Sequence, residues 1–342
     1  MSDSIRSTSI PLTSNCTTVG PVGITHRAVT VDGLELHLAE AGPADGPTVL
    51  LLHGFPECWY SWRHQLAALG AEGFHVVAPD QRGYARSGAP AAVEDYTLLH
   101  LVGDALGVLD AVGAEQAVVV GHDWGAPVAW HTALLRPDRV QGVVALSVPL
   151  LPRSARPPTA AMARRFGADY YQLYFQRPGL ADRELAADPR ATFRRLLTAT
   201  GGTGAGATLA VPAGGGVLDT CPEPDGLPEW LTEADLDVYV AEYADGGFTG
   251  GLNWYRNNDR TWALTAAWRD SRVSVPAAYL VGERDLVIAG REFDAVVATL
   301  RQRVPDLRAA ELLPGCGHWT QQERPAEINA AIADFARWTD RT

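Results

Sequence analysis

The 342-residue chain contains no lysine: all 28 of its cationic residues are arginine. That absence excludes Schiff-base and pyridoxal-phosphate chemistry through lysine, and it excludes a Walker A phosphate loop. Cationic charge is scarce overall. The arginines face 40 acidic residues, for a net charge of −12, which disfavours nucleic acid and anionic membrane as partners. Long hydrophobic runs are also missing, since nothing approaches the roughly 18 apolar residues of a spanning helix. Residues 1–20 are polar, rich in Ser and Thr and without the apolar core of a secretory signal. They are expected to be disordered, on a protein expected to be cytoplasmic. Cysteine is limited to Cys16, Cys58, Cys221 and Cys316, with no C-x-x-C pair, so no zinc or redox motif is visible. Cys316, two residues before His318, reads as a buried, inert thiol.

What is present is 46% hydrophobic residues, enough for a sizeable core. Short continuous apolar runs at 48–52, 75–78, 118–120, 142–147, 277–281 and 309–313 have the pattern of strands buried on both faces. Residues 29–31 and 34–38, joined at Asp32-Gly33, predict a hairpin. Helical patterns lie at 62–71, 98–112, 127–135, 289–300 and 325–338. The alternation predicts an α/β fold with a mostly parallel sheet covered by helices on both faces. It stops between about 150 and 272, a stretch rich in Pro, Gly and aromatics. This is expected to be an inserted helical cap domain on a core formed by 21–149 and 273–342. Gly202-Thr203-Gly204-Ala205-Gly206 lacks the strand and lysine of a phosphate loop and reads as a mobile cap loop.

Gly121-His122-Asp123-Trp124-Gly125 follows an apolar strand and precedes a helix, the context of a nucleophile elbow. The central residue there is usually serine; here it is Asp123. A carboxylate is already ionised and can attack saturated carbon, leaving an ester for water to split. The elbow therefore points to opening of a strained ring or displacement of halide. His53-Gly54-Phe55-Pro56 follows the 48–52 strand and faces the elbow across the sheet edge where ligands bind. The amides of Phe55 and Trp124 can form an oxyanion hole. His318, last in the order nucleophile, acid, histidine, is the candidate base. The acid should follow the 277–281 strand, where Gly282-Glu283-Arg284-Asp285 offers two carboxylates, and Asp285 is chosen over Glu283. The other acid position, after 142–147, offers Val148-Pro149-Leu150 and no carboxylate.

From about residue 25 to 338 the chain resembles the α/β-hydrolase-fold epoxide hydrolases, especially the soluble type. The resemblance rests on His53-Gly54-Phe55-Pro56-Glu57, Gly121-His122-Asp123-Trp124-Gly125, Tyr170-Tyr171-Gln172-Leu173-Tyr174-Phe175, Asn253-Trp254-Tyr255-Arg256-Asn257 and Gly317-His318-Trp319. It implies an α/β-hydrolase fold and two cap tyrosines, Tyr171 and Tyr255, that hydrogen-bond an epoxide oxygen. A phenol with a pKa near 10 keeps its proton at neutral pH and can donate it. Trp59, Tyr174, Phe175, Trp254 and Trp319 are expected to line the substrate pocket. The turn Arg82-Gly83-Tyr84-Ala85-Arg86-Ser87 departs from the family in having Ala85 where relatives commonly carry glycine.

The implied reaction converts an epoxide and water to a vicinal diol and calls for no metal and no organic cofactor. Two rivals are weighed against it. A haloalkane dehalogenase shares the Asp elbow, but Phe55 gives no side-chain donor for a halide and the two tyrosines are then unexplained. A non-catalytic ligand-binding protein on a hydrolase scaffold conflicts with five filled catalytic positions. The sequence leaves a homodimer open.

Overall fold

The computed structural model describes residues 23–202 and 210–341. The expectations for residues 1–20, Cys16 and the glycine loop from Thr203 to Gly206 lie outside the described residues. Eight strands form one sheet: β1 (Thr25–Val31), β2 (Leu34–Ala41), β3 (Thr48–Leu52), β4 (His75–Pro79), β5 (Ala117–His122), β6 (Val140–Leu146), β7 (Ala277–Gly282) and β8 (Leu307–Leu313). Their order is β1-β2-β4-β3-β5-β6-β7-β8. β1 pairs with β2, and β2 with β4, antiparallel. Every pair from β4 to β8 is parallel. All residues of β3, β4, β5 and β7 are buried, which is why these strands read as unbroken apolar runs rather than alternating ones.

The helices between the strands cover the sheet, and local chemistry sets their ends. The helix Pro325–Thr339 starts with proline, whose fixed φ suits the first helical turn. Several expected boundaries move: β1 starts at Thr25 rather than 29, β2 runs on to Ala41 rather than 38, and β8 starts at Leu307 rather than 309. The helix anticipated from 289 begins at Phe293, because Gly290 takes φ +71° and Glu292 is extended. The mixed apolar pattern before Phe293 belongs to a turn.

The segment between β6 and β7 contributes no strand to the sheet. It holds seven α-helices among the described residues: Pro158–Phe166, Tyr171–Tyr174, Leu180–Ala187, Pro189–Thr200, Glu233–Glu242, Thr249–Arg256 and Asn258–Leu264. Two of them are capped by sequence. The Asp188 side chain accepts from the Ala191 amide with Pro189 at the first turn, and Thr232 and Asp235 form a reciprocal capping box. Among the described residues no helix is long and apolar enough to cross a membrane.

Register brings the functional positions together. Leu52 pairs with Gly121, His122 with Leu146, and Leu146 with Leu280. Residues just beyond these pairs therefore emerge at one edge of the sheet: His53, Asp123, Ser147 and the turn after Gly282.

Candidate active site

Asp123 sits between β5 and the helix Gly125–Leu135 with φ +49°, a left-handed conformation uncommon outside glycine. The strain holds the carboxylate out of the sheet. The turn has space only for glycine beside it: a Cβ on Gly125 would lie 1.9 Å from the Leu52 carbonyl oxygen, and one on Gly54 would lie 2.3 Å from the Asp123 Cβ.

The two oxygens of Asp123 have different neighbours. Oδ1 accepts from the Phe55 amide at 2.8 Å. Oδ2 faces His318 Nε2 at 3.5 Å. The other ring nitrogen of His318, Nδ1, is 3.0 Å from Asp285 Oδ1. Asp285 is buried and Oδ1 also accepts from the Val287 amide at 2.9 Å. A carboxylate at Nδ1 keeps a proton there and leaves Nε2 directed at Asp123. Glu283, the other acid of that turn, is exposed and accepts instead from the Gly315 amide at 2.8 Å. Of the two acids in that turn, Asp285 is the one brought to His318.

The charges reinforce one another. Burial opposes the charge on His318, yet Asp285 and Asp123 flank it and hold its pKa well above the ordinary histidine value. Burial likewise opposes ionisation of Asp123, but the hydrogen bond and charge of His318 hold its pKa below the usual carboxylate value. The pair therefore favours an ionised Asp123 beside a charged His318.

Tyr171 opens the helix Tyr171–Tyr174, and Tyr255 lies on Thr249–Arg256, so both come from the insertion. Their ring centroids are 6.5 Å apart. Burial, first of all, pushes both phenols well above pKa 10, and the negative charge of Asp123 adds to it. Both are therefore proton donors at neutral pH. Phe55, Trp124 and Phe175 pack edge-on around Tyr255, with centroids 5.5, 5.0 and 5.0 Å away.

Of the expected pocket residues, Phe175 joins this aromatic group directly. Trp254 packs on Trp124 at 5.9 Å while its indole N–H donates to the Arg82 carbonyl. Trp319 packs on His318 at 4.7 Å and donates to the Leu197 carbonyl. Tyr174 is turned to Glu184, to which its hydroxyl donates at 2.7 Å. Trp59 is a correction. Its ring packs on His26, His37 and Tyr60, and its N–H donates to Glu242, in a separate cluster by β1 and β2. The chain turns into a 3-10 helix at Trp59–Trp62, and the ring joins this cluster rather than the aromatic group around Tyr255.

Several residues that support the site carry no sequence signal of their own. Glu57, wholly buried, faces His122 Nδ1 at 2.9 Å and accepts from Gln322 at 3.0 Å and Gln321 at 3.1 Å. His122 Nε2–H donates to the His318 carbonyl at 2.8 Å, which ties the elbow to the loop that carries His318. The insertion grips that loop from the other side. The His318 amide donates to the Thr200 carbonyl at 3.0 Å, and the Gly202 amide to Glu323 at 2.8 Å. Only the presence of Glu57 inside the His53–Glu57 motif hinted at any of this. Cys316 is buried with its thiol pKa pushed up by burial, in line with an inert thiol.

Comparison with known proteins agrees with this geometry. Residues 47–325 match the family model of the alpha/beta hydrolase fold. Epoxide hydrolase A of Mycobacterium tuberculosis (strain ATCC 25618 / H37Rv) is 48% identical over 315 residues, covering 91% of this chain and 97% of that protein. Epoxide hydrolase 3 of Siraitia grosvenorii is 42% identical over 316 residues, with 91% and 98% covered. The crystal structure of epoxide hydrolase A from Mycobacterium thermoresistibile superposes with a TM-score of 0.85 at 46% identity, covering 92% of this chain and 98% of that one. An Asp elbow, a flanked histidine, two phenols and these similarities together place the chain in the α/β-hydrolase-fold family, among the epoxide hydrolases.

Proposed function

We propose that the chain hydrolyses an epoxide to a vicinal diol through a covalent ester on Asp123. One observation carries this reading: an ionised Asp123 has one oxygen on the Phe55 amide and the other free to react beside His318, close to two protonated phenols. Asp123 Oδ2 attacks a ring carbon and the C–O bond opens. Tyr171 and Tyr255 hydrogen-bond the ring oxygen and supply the proton it needs. Ester formation removes the negative charge of Asp123. His318 then has one flanking carboxylate instead of two, so its pKa falls and its Nε2 proton is released to restore the phenol. Neutral His318 deprotonates water, and the hydroxide attacks the ester carbonyl. Charge develops on Asp123 Oδ1, held by the Phe55 and Trp124 amides. The tetrahedral intermediate collapses, the diol oxygen leaves with a proton from His318, and the carboxylic acid left at Asp123 passes its proton to His318, which restores the carboxylate and the charged ring.

The aromatic surroundings favour a bulky apolar or aryl epoxide. The reading divides the molecule into a core, 21–149 and 273–342, which carries nucleophile, base and acid, and a cap, 150–272, which carries both phenols.

The test is a single turnover with enzyme in excess of an aryl epoxide in ¹⁸O-water. The label is expected in the Asp123 peptide by mass spectrometry, and the first diol should be unlabelled. Label in the diol with none on Asp123 would sink the ester mechanism. His318→Gln should still open the epoxide and accumulate the ester.

A further inference from the structure

We infer that Ser147 is a positioning residue for the base, sharing His318 Nδ1 with Asp285; the inference rests on the ester mechanism proposed above. Ser147 follows β6 at the sheet edge and is fully buried. Its backbone takes φ +72°, the left-handed region where a serine costs about 1–2 kcal/mol relative to the ordinary conformation. Neighbours on β7 clamp it there. The Ser147 amide donates to the Leu280 carbonyl at 2.9 Å, and the Tyr279 hydroxyl donates to the Ser147 carbonyl at 2.9 Å. Glycine would meet the same backbone geometry without strain. The side chain therefore has to account for the strain, and it has one hydrogen-bond partner among the described residues: His318 Nδ1, 3.1 Å from Oγ.

The chemistry of Nδ1 decides what that contact does. The nitrogen carries a single proton, and Asp285 Oδ1 lies 3.0 Å away as its strongest acceptor. Ser147 Oγ accepts the second lobe of the same N–H. Two acceptors from different loops, one after β6 and one after β7, define the plane of the imidazole where one leaves it free to rock. Neither acceptor touches the ring-opening step, which uses Asp123 and the phenols. Both matter when Nε2 must meet a water beside the ester. Oγ also favours the charged ring over the neutral one, because an imidazolium N–H is the stronger donor. The position matches the alternative site for a triad acid, after β6. Here it holds a neutral oxygen that assists the acid after β7.

The experiment compares wild type with Ser147→Gly and Ser147→Ala in rapid-quench single turnovers on one aryl epoxide, with ester and diol quantified across pH. Glycine keeps the φ without strain and removes Oγ; alanine keeps Cβ and the strain and removes Oγ. In both variants ester hydrolysis should slow about fivefold, the effect of one neutral hydrogen bond. Epoxide opening should stay within about twofold of wild type. The acid limb of ester hydrolysis should move to lower pH, and Ser147→Gly should melt no lower than wild type. Hydrolysis at the wild-type rate with an unmoved acid limb in both variants overturns the role, as does a loss confined to the glycine variant, which would assign the effect to the backbone. Diol formation by wild type with no ester is a separate result: it removes the ester mechanism itself, and the role of Ser147 with it.

Discussion

Two histidine–carboxylate arrays occupy one sheet. At the ends of β5 and β7, His318 lies between Asp123 and Asp285. At the β1–β2–β4 side, His26 Nδ1 meets His37 Nε2 at 3.0 Å, and His37 Nδ1 meets Asp80 at 2.7 Å. The first array has one histidine between two aspartates and the second has two histidines and one aspartate, at similar distances, and the outcomes are opposite. His318 has a carboxylate on each side and is held charged. His26 has burial against it first, then His37 and Arg86, while the carboxylate lies one residue further off; its pKa drops to about 4. A histidine's charge is thus set by whether flanking carboxylates outweigh its burial, not by belonging to a His–Asp chain. The first array faces a reactive carboxylate. In the second, Asp80 also accepts from the Trp59 amide at 2.8 Å, and Arg86 bonds Glu242 at 2.8 Å, so its charges are spent on holding the fold.

The largest expected effect separates the two by the acid that each removes. Asp285→Asn should slow ester hydrolysis about 10⁴-fold, because the amide no longer fixes the tautomer of His318. Epoxide opening should persist, so ester should build up in quenched samples. Next comes the phenol pair. Tyr171→Phe/Tyr255→Phe should slow epoxide opening about 10³-fold, and each single change about tenfold, with hydrolysis of ester already formed unaltered. Equal slowing of both steps would mean that the tyrosines shape the pocket rather than donate the proton.

Asp80→Asn should act on stability instead. The residue is wholly buried, and weakening its interaction with His37 should cost about 3 kcal/mol in urea unfolding while leaving the pH profile of ester hydrolysis in place. A shifted profile would show the two arrays to be coupled.

Histidine NMR sharpens the contrast further. His318 should titrate well above the unfolded value of about 6.5, and His26 near 4. The signs differ accordingly. The stabilisation from His318 is fully present below pH about 6.5 and fades as pH rises through its folded pKa. His26 takes its proton late, so stability is lost as pH falls from about 6.5 towards 4, and the loss is complete below that. Both resonances moving near 6.5 would abolish the distinction. The smallest effect concerns the turn that carries Arg86. Ala85 adopts φ +47°, and Ala85→Gly should raise stability by about 0.5 kcal/mol, the relief of strain less the added unfolded entropy. Calorimetry would register a slightly higher Tm; a lower one would assign the Ala85 methyl a packing role.

Much of the fold was legible because the central strands are buried on both faces and so interrupt the helical periodicity with short apolar blocks. The turn that presents Asp123 was legible because a strand–turn–helix flanked by glycines leaves its signature in five consecutive residues. His318 and Asp285 followed from chain order and from the turn after β7. Tyr171 was not legible by pattern, since Tyr170, Tyr171 and Tyr174 look alike in sequence; resemblance alone picked it out. The place of Trp59 was not legible, since its partners His26 and His37 lie on β1 and β2, far from it in sequence. Ser147 and Glu57 stayed silent for a related reason. Their importance lies in contacts with His318 and His122, 171 and 65 positions away, and a serine ending a strand carries no mark of the φ it adopts.

The hydrogen bond from the His318 amide to the Thr200 carbonyl bears on how this enzyme can be rebuilt. The segment between β6 and β7, which carries both phenols, also supplies an acceptor for the backbone of His318, and Gly202 beside it is anchored through Glu323 to the same loop. Grafting residues 150–272 from a relative to change substrate range would therefore transplant more than pocket walls. A graft whose chain misses the position of Thr200 would leave the base unsupported, and altered turnover could then be mistaken for altered selectivity.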